Sequence, residues 1–224
     1  IISPTYPSNP VLHTLNADEE DIYTDVDTCI EDLGEILEKV QEEYDDLMKY
    51  YEDLALWKAY KSMHIDDIDD LPEEMLTRLY EMDFLPPTHR YGGKRPHIIL
   101  LADDMSHSKL YAPGRKNPFM NTVIRHRHIS KLGVSVFMLV QTFKTGCNKG
   151  IRQNLTQAFI WRTHDPTQLE QIYKELCPDV TYETFLELYN EATKESPHDF
   201  LTLDLNPKIR EKRFRKNFDK YLIP

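Results

Sequence analysis

Cysteine is scarce. Cys29, Cys147 and Cys177 are the only three in 224 residues, far apart and odd in number. That spacing excludes a disulfide framework and a CxxC metal pair and makes a reducing compartment the default. Long apolar runs are missing as well. The longest, Val134 to Val140, is strand-sized and falls far short of the roughly 18 residues of a membrane span, so no transmembrane segment is expected. The start at Ile1 has no Met and no basic leader, so no signal peptide is expected. There is no internal repeat and no long low-complexity segment. Asp66-Asp67-Ile68-Asp69-Asp70 is rich in carboxylates but lacks the Gly and the closing Glu of a calcium loop, and it reads as a solvated acidic turn.

What is present supports a folded chain. Hydrophobic residues make up 40%, aromatic residues 11% and charged residues 29%, which excludes a wholly disordered polypeptide. The length suits one domain of fair size or two small ones. The net charge of −11 is unevenly spread. Residues 1–86 carry 24 acidic against 5 basic side chains; residues 87–224 carry 14 against 22. A basic second half suits a polyanion, or it pairs with the acidic first half.

The pattern along the chain predicts α/β architecture. Ile1 to Thr5 reads as the end of a buried strand entering a Pro-rich loop, and Ile22-Tyr23-Thr24 as a short strand. Thr28-Cys29-Ile30-Glu31 fits a capping box that opens a long helix. Ile30, Leu33, Leu37, Val40, Tyr44, Leu47, Tyr51 and Leu54 follow at alternating spacings of three and four, a heptad seam. The seam fits either a helix packed on its own domain or a coiled coil. A short helix opens at Pro72-Glu73-Glu74, and Pro86 to Pro96 forms a Pro/Gly-rich connector. Ile98–Ala102, Val134–Val140 and Ala158–Trp161 are predicted strands, the first two apolar enough to be buried on both faces. Helices are predicted from Asp165-Pro166 to Leu176 and from Thr181 to Ala192. An edge-like strand follows at Phe200–Asp204, then a basic tail at Lys208–Lys220. Strands alternating with helices imply a largely parallel sheet flanked by helices, with a long acidic helical insertion over about 17–86 in a single domain.

Three constellations carry chemistry. Asp103 and Asp104 close the first long strand, where carboxylates can hold Mg²⁺ through water and polarise an attacking water. Gln141 ends the next strand and can orient a water without taking its proton. Arg125-His126-Arg127-His128 and Gly150-Ile151-Arg152-Gln153-Asn154 supply guanidiniums suited to phosphoryl charge. Each has a plainer alternative: a turn, a loop anchor, a solvated face. His126 and His128 lack a third ligand and zinc spacing.

The order of these motifs resembles the genome-packaging ATPases of large DNA viruses, the poxvirus-type branch of the FtsK–HerA P-loop motors. The matching residues are Ile98 to Asp104, Arg125-His126, Val140-Gln141 and Ile151-Arg152-x-Asn154, with Ile1 to Thr5, Phe200-Leu201 and Arg213 to Phe218 similar to the family's flanking elements. The resemblance covers most of 1–5 and 96–220. It implies a P-loop NTPase-like fold and an ATP- and Mg²⁺-dependent motor that moves double-stranded DNA into a capsid. It further implies a ring of identical subunits in the virion or the host-cell cytoplasm, with capsid or other virion components as partners. Asp103 would be the Mg²⁺-side acid. Asp104 would stand where many such motors have a water-activating Glu, one methylene longer. Gln141 would be the sensor, and Arg152 or Arg125 the phosphate-sensing or finger arginine. Arg210, Lys212, Arg213, Arg215 and Lys216, with the loop at Arg115-Lys116, would meet DNA phosphates without reading sequence. One departure is large: no GxxxxGK[ST] occurs in the chain. The resemblance therefore implies a first strand, phosphate loop and helix upstream of Ile1, and no useful ATP binding by this chain alone. The same motifs also permit a cellular or mobile-element DNA translocase, and the acidic helix permits a non-hydrolytic interaction module.

Overall fold

The computed structural model describes residues 1–64, 71–106, 108–112, 114 and 116–224. The acidic turn expected at Asp66–Asp70 and the loop residue Arg115 lie outside the described residues. Contacts divide the chain into two units, residues 1–102 with 125–138 and residues 103–124 with 139–224.

In the first unit, Ile2 is 1% exposed and forms single parallel bridges to Tyr23 and Ala102. Its N–H donates to the Leu101 carbonyl at 2.8 Å. The strand-like readings of Ile1–Thr5 and Ile22–Thr24 thus hold at one residue each, Ile2 and Tyr23. The Pro-rich segment that follows is more ordered than a loop. Asn9 Oδ1 accepts from the Val11 and Leu12 N–H groups at 3.1 and 3.4 Å, and Pro10 occupies the first position of the short helix α1 (Pro10–His13).

The long helix α2 spans Cys29–Ser62. Its capping box does not form. Thr28 has helical backbone angles (φ −91°, ψ 0°), and its hydroxyl donates to the Asp32 carboxylate at 3.1 Å. A side-chain cap needs an extended residue reaching back to the second or third N–H, and Thr28 is already wound into the first turn. Most of the heptad seam is covered within its own unit. Leu33, Val40 and Leu47 are buried, Ile30, Leu37, Tyr44 and Leu54 are half-buried, and Tyr51 is exposed. The 3-10 turn at His126–Lys131 and helix α3 (Glu73–Glu81) pack on α2. Arg78 Nε of α3 donates to the buried Asp53 carboxylate of α2 at 3.0 Å. The connector is also tied down: the Tyr51 hydroxyl donates to the Gly93 carbonyl at 2.8 Å. Gly93 sits at φ 74°, and a Cβ there would press on the Tyr50 ring, so any other residue would be strained and would have to displace that ring.

Strands β1 (Ile98–Asp103) and β2 (Val134–Leu139) form a small two-stranded parallel sheet. Leu100, Ala102 and Val134 are buried, but Ile99 is 58% exposed and Phe137 and Leu139 are each 44% exposed. The expectation of burial on both faces is therefore corrected: their apolar runs leave one side open to solvent.

The second unit holds α4 (Pro118–Arg125, whose last residue belongs to the first unit), α5 (Phe143–Gly146), α6 (Lys149–Arg152), β3 (Gln157–Trp161), α7 (Pro166–Leu176), α8 (Tyr182–Thr193), β4 (Phe200–Asp204), β5 (Phe214–Lys216) and β6 (Lys220–Leu222). Helices α7 and α8 begin as predicted. Asp165 accepts from the Thr167 and Gln168 N–H groups, and Thr181 from the Thr184 N–H. The largely parallel sheet expected here is not what forms. The sheet runs β3-β4-β5-β6, antiparallel throughout. One helix between two strands carries the chain back for a parallel partner; two helices in succession return it to the end it left, and β4 must run opposite to β3. Strand β4 is interior, not an edge, with Leu201, Thr202 and Leu203 at 0% exposure. The expected basic tail is the β5–β6 hairpin that covers it. Ile160, Leu201, Leu203 and Phe214 share one core with Ile172 of α7 and Phe185 of α8. The fold is thus mixed α/β, with a small parallel sheet and a separate antiparallel one. Among the described residues, no helix is long and apolar enough to cross a membrane.

Because most of the α2 seam is covered inside the unit, Leu47→Ala should lower stability by about 2–4 kcal/mol in urea denaturation. Sedimentation velocity should show the same oligomeric state as the unsubstituted chain; a changed state would identify the seam as an intersubunit coiled coil.

Candidate functional site

Asp103 is the last residue of β1, and Gln141 lies two residues beyond β2. Gln141 Nε2 donates to Asp104 Oδ1 at 3.1 Å, so the residues that follow β1 and β2 meet. Asp104 has a left-handed backbone, φ 53°. Asp tolerates that region better than most residues, but a non-glycine there still costs about 1 kcal/mol. The turn aims the Asp104 carboxylate at the amide. Asp104 and Gln141 are exposed, and Asp103 is half-buried.

Residues that the sequence did not single out surround this pair within the second unit. Tyr111 is 5% exposed. Burial first, then the charges of Cys147, Asp103 and Asp104, push its hydroxyl pKa well above the ordinary tyrosine value, so it stays protonated. Burial pushes the Cys147 thiol up to about 11, against the nearby Arg152 charge, which leaves it a poor nucleophile at neutral pH. The Ser106 hydroxyl oxygen is buried with no hydrogen-bond partner. A Cβ on Gly146 would lie 3.3 Å from it and 3.2 Å from the Val140 side chain, so this glycine keeps the space beside Ser106 open. No spacing rule points to Ser106 or Tyr111; they come together through the turn after β1.

The oxygen donors of Asp103 and Asp104 suit Mg²⁺, which usually takes one or two carboxylates and completes its shell with water and phosphate. The donor set stops there: among the described residues, no group of three or more His, Cys, Asp or Glu is placed to hold a metal. The phosphates of a nucleotide are not provided for, because the chain has no glycine-rich loop with a lysine to cradle them. The residues present therefore fit the acid side of a Mg²⁺ site and do not fit a nucleotide.

Arg152, expected as a finger or phosphate sensor, is turned inward. It is 8% exposed, and its Nε donates to both Glu175 oxygens at 2.9 and 3.0 Å. Its Nη1 donates to both the Lys144 and Cys147 carbonyls, and the guanidinium lies over the Phe143 ring. It brackets α5, α6 and α7 together. Arg125 is exposed and belongs to the first unit. There, Arg95, His97, His126, Arg127 and Ser135 line an open cleft of about 440 Å³. His97 Nε2 and Ser135 Oγ share a hydrogen bond at 3.3 Å, and Arg95 donates to the Lys131 and Leu132 carbonyls.

The basic group at 210–216 divides. Arg213 pairs with Asp179 and donates to the Leu176 carbonyl. Lys216, buried, pairs with Glu195 at 2.6 Å and Asp199 at 3.2 Å. These two charges are satisfied internally and are corrected from the DNA-contacting set. Arg210 is exposed and only 3.7 Å from Asp179, Lys212 is exposed, and Arg215 lies over the Tyr221 ring. No protein-family profile, curated protein or solved structure matches the chain.

Two predictions follow from these pairs. Glu175→Ala leaves a buried guanidinium uncompensated and should cost about 3 kcal/mol of stability, read by thermal melting; no loss would mean that Arg152 is free to swing outward. For Asp179, burial alone would raise the pKa, but the hydrogen bond and charge of Arg213 hold it below the ordinary carboxylate value. A depressed folded pKa contributes stability that is present above the unfolded value near 4 and is lost as pH falls through the lower folded value. Urea midpoints should therefore drop more steeply below about pH 4 in the unsubstituted chain than in Asp179→Asn, and parallel profiles would remove the pair from the acid response.

Proposed function

We propose that this chain carries the acid-and-sensor end of an ATP-driven motor that moves double-stranded DNA, of the kind that packages viral genomes as a ring of identical subunits. The observation that carries the proposal is the Gln141–Asp104 hydrogen bond, beside Asp103 and at the carboxyl ends of two adjacent parallel strands. Ligands of α/β sheets gather at that edge. The roles follow from the chemistry of each group. Asp103, on a rigid strand, suits Mg²⁺ through water. The Asp104 bond fixes the Gln141 amide, leaving its carbonyl oxygen to accept from a water, while the second carboxylate oxygen of Asp104 is the nearby acceptor for that water's other hydrogen. Arg125 is exposed and remains the finger candidate; Arg152 is committed to Glu175. Arg210 and Lys212 are exposed and Arg215 is half-buried, and these three suit DNA phosphates. Capsid components and a virion or host-cytoplasm location belong to the same reading; a cellular or mobile-element translocase is its alternative.

The missing phosphate loop favours a second reading, a non-hydrolytic interaction module. Coverage of the α2 seam within its own unit weakens the version in which that seam docks a partner. The two readings separate in the protein as encoded by its full reading frame. Gln141→Ala and Asp104→Asn should each lower DNA-stimulated ATP hydrolysis by at least about 100-fold while melting normally. Unchanged turnover contradicts the motor. The 224-residue chain should show no micromolar binding of an ATP analogue, and such binding would contradict the role given to the absent loop.

A further inference from the structure

The antiparallel sheet of the second unit has one packed face and one open face. Ile160, Leu201, Leu203 and Phe214 point to the helical side. Alternate residues point the other way. The register sets Trp161 opposite Phe200, Phe159 opposite Thr202, Thr202 opposite Arg215, and Arg215 opposite Tyr221. The open face therefore carries an aromatic track. Trp161 and Phe200 have ring centroids 4.9 Å apart, and Phe200 and Phe218 5.1 Å apart. Phe159 braces both Phe200 and Phe218 edge-on. Trp161 is 48% exposed, Phe218 63% and Tyr221 46%.

Cations border the same track. The Arg215 guanidinium lies 5.8 Å from the Tyr221 ring centroid, and Lys212 Nζ 5.3 Å from it. Arg215 Nη1 reaches the Phe218 carbonyl at 3.5 Å, and its Nε has no hydrogen-bond partner. Asp204 lies at the far end of β4, with its carboxylate accepting from the Asn206 N–H; Asp219 sits in the β5–β6 turn. Exposed rings bordered by cations, on a sheet about 14 Å across its four strands, match one ligand chemistry. Bases have π-faces that stack on aromatic side chains, and their phosphates need positive charge. A duplex keeps its bases stacked inside and cannot use such rings.

We propose that this open face binds single-stranded nucleic acid, with Trp161, Phe218 and Tyr221 stacking on bases and Lys212 and Arg215 holding phosphates. The proposal does not depend on ATP hydrolysis, and it goes beyond phosphate contact with a duplex by assigning contact with bases.

The test uses the intact 224-residue chain and a labelled oligothymidylate of about 15 nucleotides, followed by fluorescence anisotropy at low salt. Binding should quench Trp161 emission. Trp161→Ala and Phe218→Ala should each weaken binding roughly ten-fold without lowering the melting temperature. Phe218→Leu, which keeps apolar bulk and removes the ring, should weaken binding as well. Lys212→Gln combined with Arg215→Gln should flatten the salt dependence. An abasic strand with the same phosphates should bind at least about ten-fold more weakly than oligothymidylate. Equal binding of abasic strand or duplex would overturn the proposal, as would no binding by the unsubstituted chain. So would a dimer that Phe218→Ala converts to monomer, since the face would then belong to a second copy. All of these readouts are taken without ATP, so failure of the motor reading leaves them unaffected.

Discussion

Parallel pairing of β1 with β2 is the constraint on which the candidate site depends. In a parallel pair, both carboxyl ends lie at the same edge. Asp103 and Asp104 leave one strand and Gln141 leaves the other, so pairing alone brings two carboxylates and an amide together across 37 residues of sequence. An antiparallel pair would have put them at opposite ends. The left-handed turn at Asp104 completes the arrangement by aiming one carboxylate at the amide. The sheet that enforces this is small, extended only by single bridges from Ile2, and its exposed Ile99, Phe137 and Leu139 show that one face is uncovered.

Much of the fold was legible because local signals were strong. Asp165-Pro166 announces helix α7 by its cap chemistry, and the cap at Thr181 forms at the expected start of α8. The 34-residue helix α2 follows from its heptad spacing. Strand direction was misread. Apolar runs say nothing about orientation, and the informative feature, the two predicted helices rather than one between β3 and β4, points to an antiparallel pair that the general alternation of strands and helices obscured. The capping box at Thr28 illustrates the opposite error: the residue types were right and the backbone angles were not.

The same division holds for charge. Asp104 and Gln141 were legible because strand ends fix where their side chains begin. Arg152 was not, because its partner Glu175 lies 23 residues away on another helix and no spacing rule links them. Arg213 and Lys216 look like part of one basic run, yet alternation along β5 and the carboxylates Asp179, Glu195 and Asp199 turn them into internal ion pairs. Arg215, between them, points to the opposite face of the sheet, beside Tyr221. A charge run in sequence becomes two separate surfaces once the strand pleats.

The central claim is that Asp104 and Gln141 act as one unit on a water. A double-mutant cycle with Asp104→Asn and Gln141→Ala, reading DNA-stimulated ATP turnover in the protein as encoded by its full reading frame, tests it most directly. Residues that work as a unit give strongly non-additive losses. If the pair acts together, the double variant is about as slow as the slower single variant. Losses that multiply independently, or full activity in either single variant, would contradict it.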